Sequence, residues 1–186
     1  MQAAAATPRD FDTLVAPHLD AGYNLARWLL RDEAAADDVL QDASLRAFRY
    51  LASAKGEDCR PWFLRIVRNA CYSWMEQRLG LSEIDGLDPD AWDALYATQG
   101  HSVPGPEERL QQQREQQRID TALRALPPPL REVIVLRELE SLDYSDIARI
   151  ASIPMGTVMS RLSRARARLR ELLTDAPAQG QGSHHE

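Results

Sequence analysis

Apolar residues recur at helical spacing along almost the whole of this 186-residue chain. No stretch alternates β-branched and polar residues over a length that would make a strand. Because helices and strands place their apolar faces at different periods, this pattern favours one kind of structure and disfavours the other. The sequence therefore predicts an all-α fold, and its 44% hydrophobic content is enough for packed cores.

One segment interrupts the helical pattern. Residues 81–106 are dense in Gly and Pro, and residues 81–108 contain acidic side chains but no Lys or Arg. This composition is typical of a linker and not of a core element. We therefore expect two small helical domains, joined by a flexible acidic linker at 81–106 and followed by a disordered tail at 175–186. The domains are predicted at 8–80 and 107–174.

The same periodicity predicts the individual helices. In the first domain we expect helices near residues 11–30, 34–54 and 61–78. In the second we expect a helix near 107–125, an interruption at the three consecutive prolines 127–129, and a helix at 130–139. Two further helices are expected after it.

Composition also disfavours several classes of function. No run approaches the roughly 18 apolar residues of a membrane span, and the N-terminus lacks a secretion signal, so a cytoplasmic protein is expected. Cys59 and Cys71 have no second ligand at metal-binding spacing. A disulfide between them stays open, although two free thiols are the simpler interpretation. His18 and His101 have no partners at catalytic spacing, so we expect no catalytic residue, no metal and no cofactor.

The net charge of −6 argues at first against a nucleic-acid partner, because affinity for phosphates comes from clustered Lys and Arg. The average hides a strong local difference, however. Five arginines lie between residues 161 and 170. Local sign decides what each face of a protein binds, so nucleic acid remains a candidate partner.

Residues 143–174 have the pattern of a helix-turn-helix. Asp143 is predicted to cap a short helix that buries Ile147 and Ile150, and Pro154 suits the first turn of the next helix. On a helical projection the buried stripe of this last helix holds five residues: Val158, Leu162, Ala165, Leu169 and Leu172.

All five arginines of the last helix fall outside that stripe. They form two flanks with small residues between them: Arg161, Arg164 and Arg168, then Arg166 and Arg170, with Gly156, Ser160 and Ser163 between. Small side chains let a helix enter the major groove, and flanking guanidinium groups then reach phosphates and guanine edges. A solvated charged face is the alternative, but Glu171 is the only acid between residues 151 and 174. We therefore predict that this helix contacts DNA.

The predicted helix at 61–78 carries a second cationic cluster. Phe63, Val67 and Trp74 belong to its apolar face, and the opposite side holds four polar residues: Arg65, Arg68, Asn69 and Tyr72. Such groups hold phosphates, contact base edges and stack on unpaired bases. From the residues alone, an ordinary amphipathic helix explains this pattern equally well.

Three motifs together resemble the extracytoplasmic function (ECF) sigma factors of bacteria. They are DDVLQD at 37–42 followed by LRAFR at 45–49, PWFLRIVRN at 61–69, and IPMGTVMSRLSRAR at 153–166. The resemblance extends from about residue 11 to residue 173. It implies a dissociable subunit that directs core RNA polymerase to particular promoters, with region 2 near the N-terminus and region 4 near the C-terminus.

The resemblance also implies roles for region 2. The helix at 34–50 resembles the family's contact to the polymerase beta-prime clamp helices, which assigns polymerase binding to four residues: Asp38, Gln41, Asp42 and Arg46. The loop at 54–60 and the following helix resemble the part that contacts the minus-ten element and traps a flipped base. That assigns minus-ten binding to six residues: Arg60, Trp62, Arg65, Arg68, Asn69 and Tyr72.

For region 4 the resemblance implies contact with the minus-thirty-five duplex by seven residues of the last helix: Thr157, Ser160, Arg161, Ser163, Arg164, Arg166 and Arg168. Two positions depart from the family pattern. Met159 stands where Lys or Arg is usual, and Ser152 stands where Gly is usual in the turn. A left-handed conformation is cheapest for Gly, so we expect strain or altered geometry at Ser152.

The implied partners are core RNA polymerase through its beta-prime clamp helices and beta flap, promoter DNA, and an anti-sigma factor. The acidic linker is expected either to thread through polymerase channels or to act only as a solubilising tether, and the sequence leaves both open. A stand-alone DNA-binding regulator is the main alternative function, and the polymerase-facing motif at 37–49 argues against it. A nuclease is a weaker alternative, because the carboxylates lie at predicted helix starts or in the linker.

Overall fold

A computed structural model describes residues 7–54, 58–79 and 111–174. Every regular element in these ranges is helical, and they contain no strand, so the all-α prediction is confirmed. The predicted linker at 81–106 and tail at 175–186 lie outside the described residues. The described helices form an N-terminal bundle at 7–79 and a C-terminal bundle at 111–174.

The N-terminal bundle contains four helices: α1 (Pro8–Leu14), α2 (Leu19–Leu30), α3 (Glu33–Tyr50) and α4 (Cys59–Leu79). Short 3-10 turns lie at Ala16–His18 and Leu51–Ala54. The prediction of one helix across 11–30 is wrong, because Pro17 lacks the N–H that an uninterrupted helix needs. The predicted helix at 34–54 likewise ends at Tyr50 and continues only as a 3-10 turn.

Side-chain caps fix where two of these helices begin. The Thr7 hydroxyl accepts a hydrogen bond from the Asp10 amide, and the Asp10 carboxylate accepts one from the Thr7 amide, which forms a capping box at α1. The Asp32 carboxylate accepts from the Ala35 amide at the start of α3. These bonds satisfy amides at the helix starts, where the regular acceptor four residues earlier is missing.

The core of the N-terminal bundle forms where α2, α3 and α4 cross. Leu25, Leu29, Phe63 and Val67 are fully buried there. Gly22 lets α2 approach α4 closely, because a Cβ atom at this position would lie 2.8 Å from Cε1 of Phe63. This close packing fixes the axial position and rotation of α4, the helix that carries the second cationic cluster.

The C-terminal bundle also contains four helices: α5 (Gln111–Ala125), α6 (Pro128–Ile134), α7 (Tyr144–Ala151) and α8 (Met155–Thr174). Pro127 precedes α6 and Pro128 occupies its first turn, so the helix begins two residues before the predicted start. A π turn at Val135–Leu139 continues α6, and the Glu140 amide donates to the Val135 carbonyl.

The two bundles pack against each other. Helix α4 lies against α7, and α2 lies against α6. Arg31 donates to the Leu126 carbonyl at 3.3 Å, and Arg131 donates to the Leu29 carbonyl at 3.3 Å, so hydrogen bonds cross the contact in both directions. Buried residues of both bundles belong to one continuous apolar cluster. Sequence analysis predicted two linked domains but not this direct contact.

Candidate nucleic-acid interface

Helices α7 and α8 form the helix-turn-helix that the sequence predicts. The Asp143 carboxylate accepts from the Asp146 amide at 2.8 Å, which confirms the predicted cap. That hydrogen bond, followed by the one from Ser145, lowers the pKa of Asp143 below its usual value. The cap therefore keeps a charged carboxylate at the positive end of α7.

The turn between the two helices is tight. Ser152 caps the C-terminus of α7 in the left-handed conformation with φ 55°, which is strained for a residue other than Gly. The Ile153 amide donates to the Ala148 carbonyl, and the Pro154 carbonyl accepts from the Thr157 and Val158 amides. The first bond closes the C-terminus of α7, and the other two start α8 directly after the turn.

Burial on α8 follows the predicted stripe. Val158, Leu162 and Ala165 are buried, and Leu169 and Leu172 pack partly against the same core. The opposite side is open to solvent at its first turns, where Met155, Met159 and Ser160 are exposed. A Cβ atom on Gly156 would meet nothing within 4 Å. The start of α8 therefore presents small or flexible side chains to solvent, as a helix that enters a groove requires.

The arginines of α8 flank these small exposed side chains. Ser163, Arg164, Arg166 and Arg168 are exposed, and Arg161 is partly buried, as is Thr157. Arg166 donates to the Glu138 carboxylate at 2.7 Å, and this hydrogen bond raises the pKa of Arg166 above its usual value. Arg168 pairs with Glu171 at 3.2 Å. Both pairs are about half exposed, so solvent screens them strongly.

The cluster predicted on α4 lies in a different environment. Only 1% of Arg68 and 3% of Tyr72 are exposed, although the sequence placed both opposite the apolar face of the helix. The expectation of a solvent-facing cluster is wrong at these two positions, because the C-terminal bundle covers this side of α4. Arg65 is partly exposed and Asn69 is exposed, whereas Trp62 is 7% exposed.

The covering contact is a buried ion pair. The Arg68 Nε atom donates to Oε1 of Glu132 at 2.6 Å, and the Tyr72 hydroxyl donates to Oε2 of the same carboxylate at 3.1 Å. The Arg68 guanidinium also lies 4.1 Å from the centre of the Tyr72 ring and donates to the Asn69 amide oxygen at 3.3 Å. Glu132 thus engages two of the six predicted minus-ten residues directly.

A second carboxylate of the C-terminal bundle makes a similar contact. The Arg60 Nη2 atom donates to Oε2 of Glu140 and to the Glu140 carbonyl, each at 2.9 Å. The Asn24 amide donates to Oε1 of Glu140 at 3.4 Å. Nearby, burial and then the charge of Arg60 lower the pKa of His18. Neither Glu132 nor Glu140 was identified from the sequence.

The four predicted polymerase-binding residues lie along α3. Asp38, Gln41, Asp42 and Arg46 are all exposed, and Arg46 pairs with Asp42 at 2.7 Å. Sequence analysis overlooked the apolar side chains beside them. Those of α3 that the structure exposes are Leu45, Phe48 and Tyr50. Exposed large apolar side chains near a charged helix face are typical of a protein-binding surface.

The structure also describes the cysteines and the groups of possible metal ligands in the described ranges. Cys59 and Cys71 are free thiols, so the disulfide alternative is wrong. Burial, and then the Glu132 charge, raise the pKa of the Cys71 thiol well above its usual range. No group of three or more His, Cys, Asp or Glu residues in the described ranges could hold a metal ion. No helix in those ranges is long and apolar enough to span a bilayer.

Comparison with known sequences identifies both halves of the chain. Residues 14–79 match the family described as Sigma-70 region 2, and residues 116–169 match Sigma-70, region 4. The chain is 32% identical over 169 residues to the ECF RNA polymerase sigma factor SigE of Mycolicibacterium smegmatis, covering 91% of this chain and 63% of that protein. It is also 32% identical over 162 residues to the RNA polymerase sigma-H factor of Pseudomonas aeruginosa, covering 85% of this chain and 83% of that protein.

Solved structures agree with these matches. The sigma factor RpoE from Bartonella quintana, in complex with the anti-sigma factor NepR, superposes with a TM-score of 0.68 at 29% identity. That comparison covers 91% of this chain and 99% of the other. CnrH, in complex with the cytosolic domain of CnrY, gives a TM-score of 0.62 at 27% identity and covers 95% of each chain. With two matching regions in this order and relatives of similar fold, the chain belongs to the ECF sigma factors of the sigma-70 family.

Proposed function

We propose that this chain directs core RNA polymerase to particular promoters by contacting the minus-thirty-five element with α8 and the minus-ten element with α4. The observation that carries the proposal is the presence of one cluster of arginines on each bundle, on helices that match region 4 and region 2. The chain acts by binding and catalyses no reaction itself. Sigma factors in general are initiation factors without enzymatic activity.

Contact with the minus-thirty-five duplex is assigned to the start of α8. Thr157, Ser160 and Ser163 allow close approach to the bases, since their side chains are small. Arg161 and Arg164 then reach guanine edges and phosphates, while Arg166 and Arg168 exchange exposed carboxylate partners for phosphates. Exchange is feasible because an exposed ion pair is worth at most about 1 kcal/mol.

Contact with the minus-ten element is assigned to α4, including Arg60 in its first turn. Arg65, Arg68 and Asn69 would hold phosphates and a base edge, and Trp62 or Tyr72 would stack on an unpaired base. Flipping a base out of a duplex costs a few kcal/mol. Stacking worth about 1 to 3 kcal/mol per base offsets much of this cost.

Attachment to polymerase is assigned to the exposed face of α3. Asp38, Gln41, Asp42 and Arg46 supply charged and amide groups for the beta-prime clamp helices, and the beta flap would contact the C-terminal bundle. The exposed apolar side chains beside them would add buried area. We also propose an anti-sigma factor as regulator and the cytoplasm as the site of action. The likeness to an RpoE bound to an anti-sigma factor supports that partner.

Run-off transcription tests this function directly. Purified core polymerase, with and without this chain, is supplied with a library of promoter fragments, and the start sites are sequenced. We expect new start sites that share two conserved elements. A stand-alone regulator would bind DNA without creating start sites, so unchanged initiation by core enzyme would contradict the proposal.

Permanganate footprinting tests the assignment of α4. Arg68→Ala and Asn69→Ala are expected to reduce the reactivity of unpaired thymines at the minus-ten element, since each removes a contact to the separated strand. Duplex binding at the minus-thirty-five element serves as the internal control. Unchanged permanganate reactivity in both variants would show that α4 does not hold the open strand in this way.

A further inference from the structure

Two large apolar side chains lie at the exposed start of α8. Met155 is 49% exposed and Met159 is 48% exposed, and the two are four residues apart on the helix. Val158 and Leu162, which belong to the buried stripe, are almost completely buried in the core. The fold of the C-terminal bundle therefore leaves about half of each methionine in contact with solvent. We call Met155 and Met159 the methionine pair.

The two flanks of α8 carry different chemistry at this end of the helix. Successive helical residues are rotated by about 100°, so Met155, Met159 and Arg166 lie within about 40° of one another. Gly156 and Ser160 separate this row from the other flank, which is polar: Thr157, Arg161 and Arg164. A ligand that covers the start of α8 therefore meets an apolar surface on one side and a cationic surface on the other.

The charge around the methionine pair identifies the kind of ligand. Residues 151–170 contain five arginines and no acidic residue. A protein partner that covered the methionines would also cover nearby guanidinium groups, and burying an unpaired cation is unfavourable. A DNA duplex places phosphates beside base edges, so one ligand satisfies the cations and the apolar pair together. The major groove of DNA is therefore the ligand that fits this surface.

Within the major groove, the C5 methyl group of thymine is the apolar feature of the base edges. A methionine side chain gains free energy by removing that methyl group from water, and its flexible thioether adapts to the position of the methyl group. Four residues of an α-helix rise about 6 Å, and two base-pair steps rise about 6.8 Å. The spacing of the methionine pair is therefore compatible with contacts to two thymines of one element.

We propose that the methionine pair selects thymine in the minus-thirty-five element by contacting its C5 methyl group. This inference rests on the proposed function, which supplies the identity of the duplex. Arg161 and Arg164 contribute affinity and guanine contacts from the other flank, whereas the methionines distinguish T·A pairs from pairs that lack the methyl group. The preferred element therefore contains at least one thymine whose methyl group faces the start of α8.

The first experiment removes the methyl group alone. Holoenzyme is assembled from core polymerase and this chain, and a promoter identified by run-off transcription is rebuilt with each thymine of its minus-thirty-five element replaced in turn by uracil. Uracil keeps the base pairing and the O4 acceptor of thymine. We expect at least one replacement to weaken promoter binding about four-fold, because burial of one methyl-sized group is worth that factor. The double variant Met155→Gln with Met159→Gln should abolish this uracil effect.

Leu139→Gln is the matched control for this experiment. Leu139 is 49% exposed in the same bundle but lies outside α8, so this variant should keep the full uracil effect. Each effect is a ratio of two affinities measured with the same protein, which cancels any difference in active fraction between variants. An element in which no thymine responds to uracil would overturn the proposal, and so would a response of equal size in wild type and in the double variant.

The second experiment changes the base preference instead of removing it. Met159→Arg replaces an apolar side chain by a guanidinium group, which donates to the O6 and N7 atoms of guanine. Holoenzymes with wild-type chain or with Met159→Arg each select binders from promoters randomised across the minus-thirty-five element. We expect the variant to enrich guanine at a position where the wild type enriches thymine. Identical preferences at every position would overturn the proposal.

The two proposals fail in different ways. Run-off transcription without new start sites contradicts the proposed function and overturns this inference with it. New start sites whose elements respond equally to uracil in all variants overturn the inference alone. A double variant that transcribes poorly but keeps the full uracil effect would show that the methionines contact polymerase instead, which also overturns the selection of thymine.

Discussion

The two cationic surfaces of this chain differ in their access to solvent. On α8, Arg164 and Arg168 are exposed, because the helix packs through one narrow stripe at the edge of its bundle. On α4, Arg68 and Tyr72 are buried, because this helix has its own bundle on one side and the C-terminal bundle on the other. The same residue type thus serves as a solvated cation in one place and as a buried half of an ion pair in the other.

If α8 and α4 contact promoter DNA as proposed, this difference separates two steps of promoter binding. A duplex can approach the exposed start of α8 without any rearrangement of the described residues. A single strand can reach Arg68 only after Glu132 has moved away. On the proposed function, the surface on α8 is accessible first, and Arg68 on α4 becomes accessible only when the bundles separate.

The largest expected effect concerns the buried pair. Arg68→Ala leaves Glu132 buried without its cation, so we expect a loss of about 3 to 5 kcal/mol in the free energy that holds the docked structure together. Arg166→Ala removes an ion pair that is half exposed, and its loss should stay below about 1 kcal/mol. Urea denaturation followed by circular dichroism measures both.

The number of transitions in the urea unfolding curve also tests this comparison. If the bundles separate before either unfolds, Arg68→Ala should split one unfolding transition into two, while Arg166→Ala keeps it single. A double-mutant cycle that combines Arg68→Ala with Glu132→Ala isolates their coupling from the other losses. A coupling no larger than that between Arg166 and Glu138 would show that burial gives the Arg68 pair no special weight.

Much of the helix-turn-helix that carries the exposed surface could be predicted from the sequence, because its determinants are local. The Asp143 cap, the Ser152 turn and the buried stripe through Val158 and Leu162 each depend on residues a few positions apart, and helical spacing places them correctly. The single helix predicted at 11–30 is interrupted for an equally local reason. Pro17 lacks the N–H that a continuous helix needs, although the apolar pattern runs through it.

The covered surface could not be predicted in the same way. Glu132 lies 64 positions from Arg68, and Glu140 lies 80 positions from Arg60. Nothing in the helical period of α4 distinguishes a polar side that faces water from one that faces another bundle. A buried acid within the apolar run at 130–136 was the available signal, because a charge among buried residues requires a partner.

The next effect tests the exposed surface. Arg164→Ala should weaken binding to a minus-thirty-five duplex by about 1 to 3 kcal/mol if the guanidinium contacts a base, and it should lower the salt dependence by about one ion if it contacts a phosphate. Fluorescence anisotropy at several salt concentrations separates the two cases. Arg170→Ala, near the far end of the same helix, is the matched control, and an equal loss there would indicate nonspecific attraction.

The smallest effect compares the two bundles at positions of the same backbone conformation. Arg31 caps the C-terminus of α2 with φ 58°, and Ser152 caps that of α7 with φ 55°. A left-handed residue other than Gly costs about 1 to 2 kcal/mol, which exceeds the roughly 0.5 to 1 kcal/mol of extra entropy that Gly loses on folding. Ser152→Gly should therefore stabilise the chain by about 0.5 to 1 kcal/mol.

Arg31→Gly should gain less stability or lose some, because it also removes the hydrogen bond to the Leu126 carbonyl that joins the bundles. Thermal melts of both variants make the comparison, and equal gains would mean that this inter-bundle hydrogen bond contributes nothing to docking.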